Sequence, residues 1–265
     1  LVPRQGGFVP SRAYEPNHLI KAELKFPVKL KGRTRVFGEL KYNNEYVFGI
    51  YSPIEDDGVS PIKLHESSLS FIVSHKFGNG YSLLGKFGME NSSDHFWKAG
   101  GNSLSWSNSI LLQKENANGK YGLGASCGLA VLGRLSILPL ILYQRKLPRN
   151  WELDLLLPAK MLAIKNVSNS SRFIMGVKGS SGNYYLSGLA MDGLSGLNYR
   201  RLSANAILGY EKLVTPLVGV GIEAGATIPV QSGVYRQDKR WQEVHNFGQK
   251  VDPYFNFKIF FAVPR

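Results

Sequence analysis

Charged side chains sit at every second position early in the chain. Lys21, Glu23, Lys25 and Lys29 alternate with Ile20, Ala22, Leu24, Phe26, Val28 and Leu30. The same spacing sets Arg35, Glu39, Lys41, Lys76, Lys86 and Glu90 opposite apolar neighbours, and later Glu152, Asp154, Lys160, Arg172, Lys178, Arg201, Glu223 and Lys258. Acids and bases of mixed order on one face can pair with one another, or they can line a water path for ions. Catalysis asks for more. A serine nucleophile needs a histidine base and an orienting acid at one height. The five histidines, His18, His65, His75, His95 and His245, are scattered over separate segments. No phosphate-binding loop is present, and the histidines lack the local pairing of a zinc site. The chain therefore reads as a non-enzyme without cofactor or metal.

Two loop clusters remain. Glu55, Asp56 and Asp57 are contiguous and lack the alternate ligand spacing of a calcium loop, so they read as a solvated turn. Arg236, Lys239, Arg240 and Trp241 form a basic loop with an aromatic, suited to lipid phosphates or an acidic neighbour.

These residues are positioned by strands. Alternation of oil and charge over ten or more residues recurs through the chain, as in Val218, Val220, Ile222, Ala224, Ala226, Ile228 and Val230, and again in Phe255, Phe257, Ile259, Phe261 and Val263. A strand points successive side chains to opposite faces, so one face is apolar and the other charged. The pattern predicts an all-β fold, an antiparallel transmembrane β-barrel with its apolar series toward lipid. Candidate strands are 18–30, 33–43, 66–77, 80–90, 103–114, 120–132, 135–147, 150–163, 171–180, 182–190, 197–211, 215–230 and 253–263. Tight turns at Lys31-Gly32, Gly78-Asn79, Leu147-Arg149 and Ser181 contrast with long connections at 44–65, 91–102 and 231–252, which predicts short turns on one side of a membrane and loops outside. Thirteen candidates is an odd number, whereas bacterial barrels have even ones. Residues 6–14 occupy the place of a further strand, so fourteen strands are expected, with twelve the runner-up. The expected organisation is an extended N-terminal segment or first strand at 1–17 and a single barrel over 18–265.

Composition narrows the partners. Lys+Arg 32 against Asp+Glu 19 gives a net charge of +13, but the bases are spread singly, which argues against a nucleic-acid interface. The one cysteine, Cys127, falls in the apolar series Tyr121, Leu123, Ala125, Leu129 and Val131 and reads as a small hydrophobe. No apolar run has the length of a spanning helix. Trp97, Trp106 and Trp151 suit anchors at a membrane interface. A signal peptide is not visible, and the chain reads as a mature exported form.

Pro139 and Tyr143, Trp151 and Leu153 leading to Leu157-Pro158, Tyr184-Tyr185, and Tyr199 followed by Gly209-Tyr210-Glu211 carry a resemblance. Over its last two thirds the chain resembles a family of uncharacterised outer-membrane β-barrels of Bacteroidota. The resemblance implies a bacterial outer-membrane location and assigns no functional residue. With the charged series facing the lumen, two roles are expected: an accessory or structural subunit of a larger outer-membrane protein complex, or a small-solute diffusion channel of weak anion preference. Outer-membrane lipid or lipopolysaccharide would surround either one.

Overall fold

The computed structural model describes residues 19–51, 61–95, 103–128, 135–187, 197–215, 218–236, 242–246 and 251–261. The N-terminal segment 1–17, the acidic turn Glu55 to Asp57, and Lys239, Arg240 and Trp241 lie outside these residues. Of Lys21 and Glu23 only the strand positions are described.

Alternation does make strands throughout: the chain is all-β, with no helix among the described residues. The elements are β1 (Leu19–Lys29), β2 (Thr34–Tyr51), β3 (Pro61–Gly78), β4 (Tyr81–Ser93), β5 (Leu104–Asn116), β6 (Gly119–Gly128), β7 (Ser136–Leu147), β8 (Trp151–Leu157), β9 (Lys160–Asn166), β10 (Ser171–Leu186), β11 (Leu197–Leu213), β12 (Val218–Arg236), β13 (Gln242–Asn246) and β14 (Asp252–Phe261). They form one antiparallel sheet in which each strand pairs with the next as far as β12. Both β13 and β14 then pair with β12, β13 along Gly233 to Arg236 and β14 along Val218 to Thr227. They are two stretches of one column, since the other edge of β12 is taken by β11 over its whole length.

Several segments depart from the sequence reading. Residues 150–163 are two strands, β8 and β9, turning at Pro158-Ala159; the nearly unbroken apolar run conceals the turn. Conversely 171–180 and 182–190 were expected as two strands hinged at Ser181, but Ser171–Leu186 is the single strand β10, and 188–190 lie outside the described residues. Its glycines mark close approach instead of a turn. A Cβ on Gly176 would lie 2.0 Å from the Met161 carbonyl oxygen, and its φ of +146° belongs to glycine; a Cβ on Gly182 would meet the Tyr184 ring at 2.6 Å. The region 44–65 is strand at both ends, extending β2 to Tyr51 and starting β3 at Pro61. The region 231–252 contributes the end of β12 and all of β13.

The connections 30–33, 79–80, 117–118, 148–150, 167–170 and 214–217 share one end of the sheet, the tight-turn end. The long connections 52–60, 94–103, 129–135, 187–196 and 237–241 share the other, the long-loop end. The β8–β9 hairpin departs from this rule. Its strands are 7 residues each, against 16 in β10, so the upper half of β10 outruns its neighbour and swings across to β4. There Tyr185 bridges Ser93, closing β4 to β10 into a seven-strand barrel with the remaining strands extending from it.

The faces separate as alternation requires. The outer one exposes Leu24, Leu40, Phe71, Phe87, Met89, Ile110, Leu123, Ile137, Leu208, Ile222, Phe255 and Phe257. Inside, Leu162, Ile164, Ile174 and Ile207 form a buried cluster against which Tyr254 packs. Nearer the long-loop end Leu64, Leu186, Leu197 and Val234 are almost wholly buried.

Candidate functional site

The inner face gathers its charges into clusters, each built around a carboxylate. In the first, β1 to β4 converge on Glu39, which is 2% exposed. Its carboxylate accepts hydrogen bonds from Ser70 Oγ at 2.9 Å and Lys86 Nζ at 2.5 Å, with Lys25 and Lys41 at 3.3 and 3.4 Å. The pairing register sets this up: Glu39 lies opposite Lys25 on one side and Ser70 on the other, on the inward phase of all these strands. One acid among three bases leaves this stretch of wall positive.

The second cluster joins β10, β11, β12 and β14. Glu223, 1% exposed, accepts from Lys178 at 2.6 Å, Lys258 at 2.8 Å, and Tyr254 and Asn256 at 3.3 Å. Glu211 pairs with Arg172 at 2.6 Å and also with Lys258, which bridges the two acids. A third, smaller group is Asp154, held by Lys160 at 2.5 Å and Gln144 at 2.9 Å. A carboxylate out of water is tolerated only when opposite charge and donors replace its hydration, which these contacts do.

At the long-loop end two contacts run between strands that do not pair in the sheet. Arg201 of β11 pairs with Glu45 of β2. Tyr184 of β10 donates to Glu66 of β3 at 3.4 Å, and its ring stacks on Tyr199 with centroids 6.2 Å apart. Asn43 donates to the same Glu66 at 2.9 Å, and Ser92 to Glu90 at 2.7 Å. Just beyond, the backbone N–H and hydroxyl of Ser187 both donate to Asp94, at 3.0 and 2.9 Å. Arg201 and Tyr184 thus link β11 to β2 and β10 to β3.

Of the residues singled out from sequence, Lys25, Lys86, Glu90, Asp154, Arg172, Lys178, Arg201, Glu223 and Lys258 take part in these groups. Glu152 is half-buried on the same face, two residues before Asp154. Lys21 and Glu23 stand opposite Asn43 and Lys41. An irregularity after Pro27 sets Lys29 opposite Val36 at the tight-turn end, where it is exposed. Arg236 ends β12, opposite Leu197 on one side and Gln242 on the other.

Sequence reading missed Glu45, Glu66 and Glu211 as members. Glu45 lies past the expected end of β2 and Glu66 at the expected start of β3, so neither was assigned a face. Glu211 shares the odd series of Arg201, a signal that was available.

Two of the histidines bond hydroxyl groups. His75 Nδ1 lies 2.8 Å from the Thr34 hydroxyl, with its ring edge-on to Phe77, and His65 Nδ1 is 2.9 Å from the Tyr42 hydroxyl. Among the described residues no group of three His, Cys, Asp or Glu is arranged to hold a metal ion. Comparison of the chain with protein families, curated proteins and solved structures returns no match.

Proposed function

We propose that this chain is a bacterial outer-membrane β-barrel of fourteen strands whose lumen is shut, acting as a non-enzymatic accessory or structural subunit of an outer-membrane assembly. A location in lipid draws support from the outer face. A soluble monomer rarely exposes contiguous apolar surface beyond a few hundred Å², whereas here nearly every strand presents exposed Leu, Ile, Val or Phe. Near the tight-turn end the outward residues become Tyr81, Tyr121, Tyr143, Trp151, Phe173 and Tyr210. Cations accompany them, with Lys114 4.9 Å from the Tyr81 ring and Lys165 5.5 Å from that of Trp151. Aromatic rings beside basic residues suit a headgroup boundary, where lipid or lipopolysaccharide phosphates lie.

The observation that carries the closed-subunit reading is the pair of ties across the interior, Glu45 with Arg201 and Glu66 with Tyr184. A wall pinned to its opposite wall leaves no through-path at that height. The channel reading rests on the other end, where Lys86 and Arg172 keep 35% and 44% of their side-chain surface accessible. Planar-bilayer recording on the purified chain separates the two. Silent membranes are expected, together with a protein neighbour that cross-links to the chain in native outer membranes in stoichiometric amount. Steady ohmic currents whose ion preference changes in Lys86→Glu or Arg172→Glu would defeat the closed-subunit reading and establish the channel.

A further inference from the structure

The outward positions of β4 to β8, those in phase with Phe87, Ile110, Leu123 and Ile141, hold no carboxylate, and their two cations stand together at the tight-turn end. These are Lys114 of β5 and Arg145 of β7. The register sets both beside β6. Lys114 faces Tyr121, which faces Tyr143; two residues nearer the turn, Asn116 faces Gly119, which faces Arg145. The two bases therefore flank Gly119 and Tyr121 diagonally, with one strand between them. Two strand spacings set the β5 and β7 backbones about 10 Å apart. Lysine and arginine side chains are long enough to meet around one phosphate across that gap. Each base is already oriented by a tyrosine. Lys114 has Tyr81 on its other side, its ammonium 4.9 Å from the ring centre, and Arg145 donates from Nη1 to the Tyr143 hydroxyl at 3.3 Å. Position 119 stays without a side chain by necessity, since a Cβ there would lie 2.0 Å from the Gln144 carbonyl oxygen. The rim thus has a bare notch with a cation on either side and the exposed phenol of Tyr121 behind it. Glu115 does not offset these charges, because it turns to the other face and pairs with Lys120.

We propose that this notch binds the phosphate of an anionic phospholipid in the leaflet at the tight-turn end. Lys114 and Arg145 hold the phosphate oxygens by charge-assisted hydrogen bonds, and the Tyr121 hydroxyl supplies a third donor. A lipid fits better than a free phosphate because the outward residues next along these strands are the exposed Leu112, Leu123 and Ile141, an apolar track for acyl chains that starts at the notch. Elsewhere the aromatic collar lacks the full set. Lys165 lies between Trp151 and Phe173, but its ammonium is given to the Arg149 carbonyl, and Phe173 has no hydroxyl to add. The inference rests on the membrane reading above and adds a headgroup preference to it.

Two measurements on the full chain keep the site separate from the reading beneath it. Flotation with phosphatidylcholine vesicles tests membrane insertion, and a chain that stays in the aqueous fraction defeats both. The inserted protein is then extracted in detergent with equal amounts of phosphatidylglycerol and phosphatidylcholine of the same acyl chains, and native mass spectrometry should find phosphatidylglycerol retained in preference. A base at an anionic membrane surface contributes a factor of about five, so Lys114→Gln with Arg145→Gln should lower that preference about twenty-five-fold. The charge-preserving exchange Lys114→Arg with Arg145→Lys should keep most of it. Lys146→Gln removes the same charge one residue away, on the inward face opposite Glu152, and should leave the preference unchanged. Equal retention of the two lipids, a preference that survives the double neutralisation, or an equal fall in Lys146→Gln would overturn the site while leaving the chain in the membrane. Displacement of the retained lipid by excess glycerol phosphate would make the occupant a soluble phosphate and overturn the lipid assignment.

Discussion

Glu223 shows what a single inward residue must do in this fold. It is 1% exposed and collects four donors from β10 and β14, so its charge is sustained entirely by neighbours. Replacing it by alanine leaves Lys178 and Lys258 with one acid fewer between them, and loss of one partner of a buried pair costs about 3 kcal/mol. Both lysines retain about 30% of their surface and can turn partly to water, which lowers the expectation for Glu223→Ala to about 2 kcal/mol in urea unfolding from detergent. The surface pair of Glu115 and Lys120 provides the contrast, since Glu115→Ala should cost under about 0.5 kcal/mol. Equal losses at the two sites would mean that the surroundings of Glu223 are as wet as the tight-turn end. Much of this was legible beforehand, because parity alone places Lys178, Glu223 and Lys258 on one face. Which acid meets which base was not, because strand register depends on turn geometry that parity leaves open.

Strand β14 carries the element-scale argument. Phe255, Phe257 and Ile259 are 79%, 65% and 63% exposed, while Tyr254, Asn256 and Lys258 turn inward to Glu223 and Glu211. Nitroxide labels at Phe257→Cys and Lys258→Cys should therefore behave oppositely, the first relaxed by lipid-soluble oxygen and the second by a water-soluble agent or by neither. Similar accessibility to the aqueous agent at both sites would remove the lipid-facing assignment of this strand. The sequence showed β14 clearly because its alternation is unbroken over its whole length. It failed at β8, β9 and β10 for a physical reason. There the chain spends glycine and serine on close backbone approach, at Gly176 and Gly182, and turns at a proline inside an apolar run. Local composition thus pointed to a turn at 181 and none at 158. The fourteenth strand was expected at 6–14; the structure finds β13 within the expected outer loop, while 6–14 lies outside the described residues.

At the scale of the whole molecule the short β8–β9 hairpin and the β4–β10 bridge at the long-loop end belong together. Because β8 and β9 stop after 7 residues, β10 is released from its neighbour and can lean onto β4, carrying Tyr184 toward Glu66 and Leu186 into the interior. The interior is then asymmetric. Toward the tight-turn end lie Glu39 with three lysines, and Glu211 and Glu223 with two lysines and an arginine, both with positive excess. At the other end Glu45, Glu66 and Glu90 outnumber Arg201. An ion crossing the barrel would meet an acidic constriction and a basic vestibule in series. Removing the constriction should expose the preference of the vestibule. Tyr184→Ala combined with Leu64→Ala and Leu186→Ala is expected to convert a silent protein into one that passes steady current. Its reversal potential in a salt gradient should favour the anion, and adding Lys86→Glu should shift that preference toward cations. A triple variant that folds, judged by retained strand signal in circular dichroism, yet stays silent would show that the barrier lies elsewhere. Currents that favour cations from the outset would instead place the controlling charge on the acidic side, at Glu45, Glu66 and Glu90.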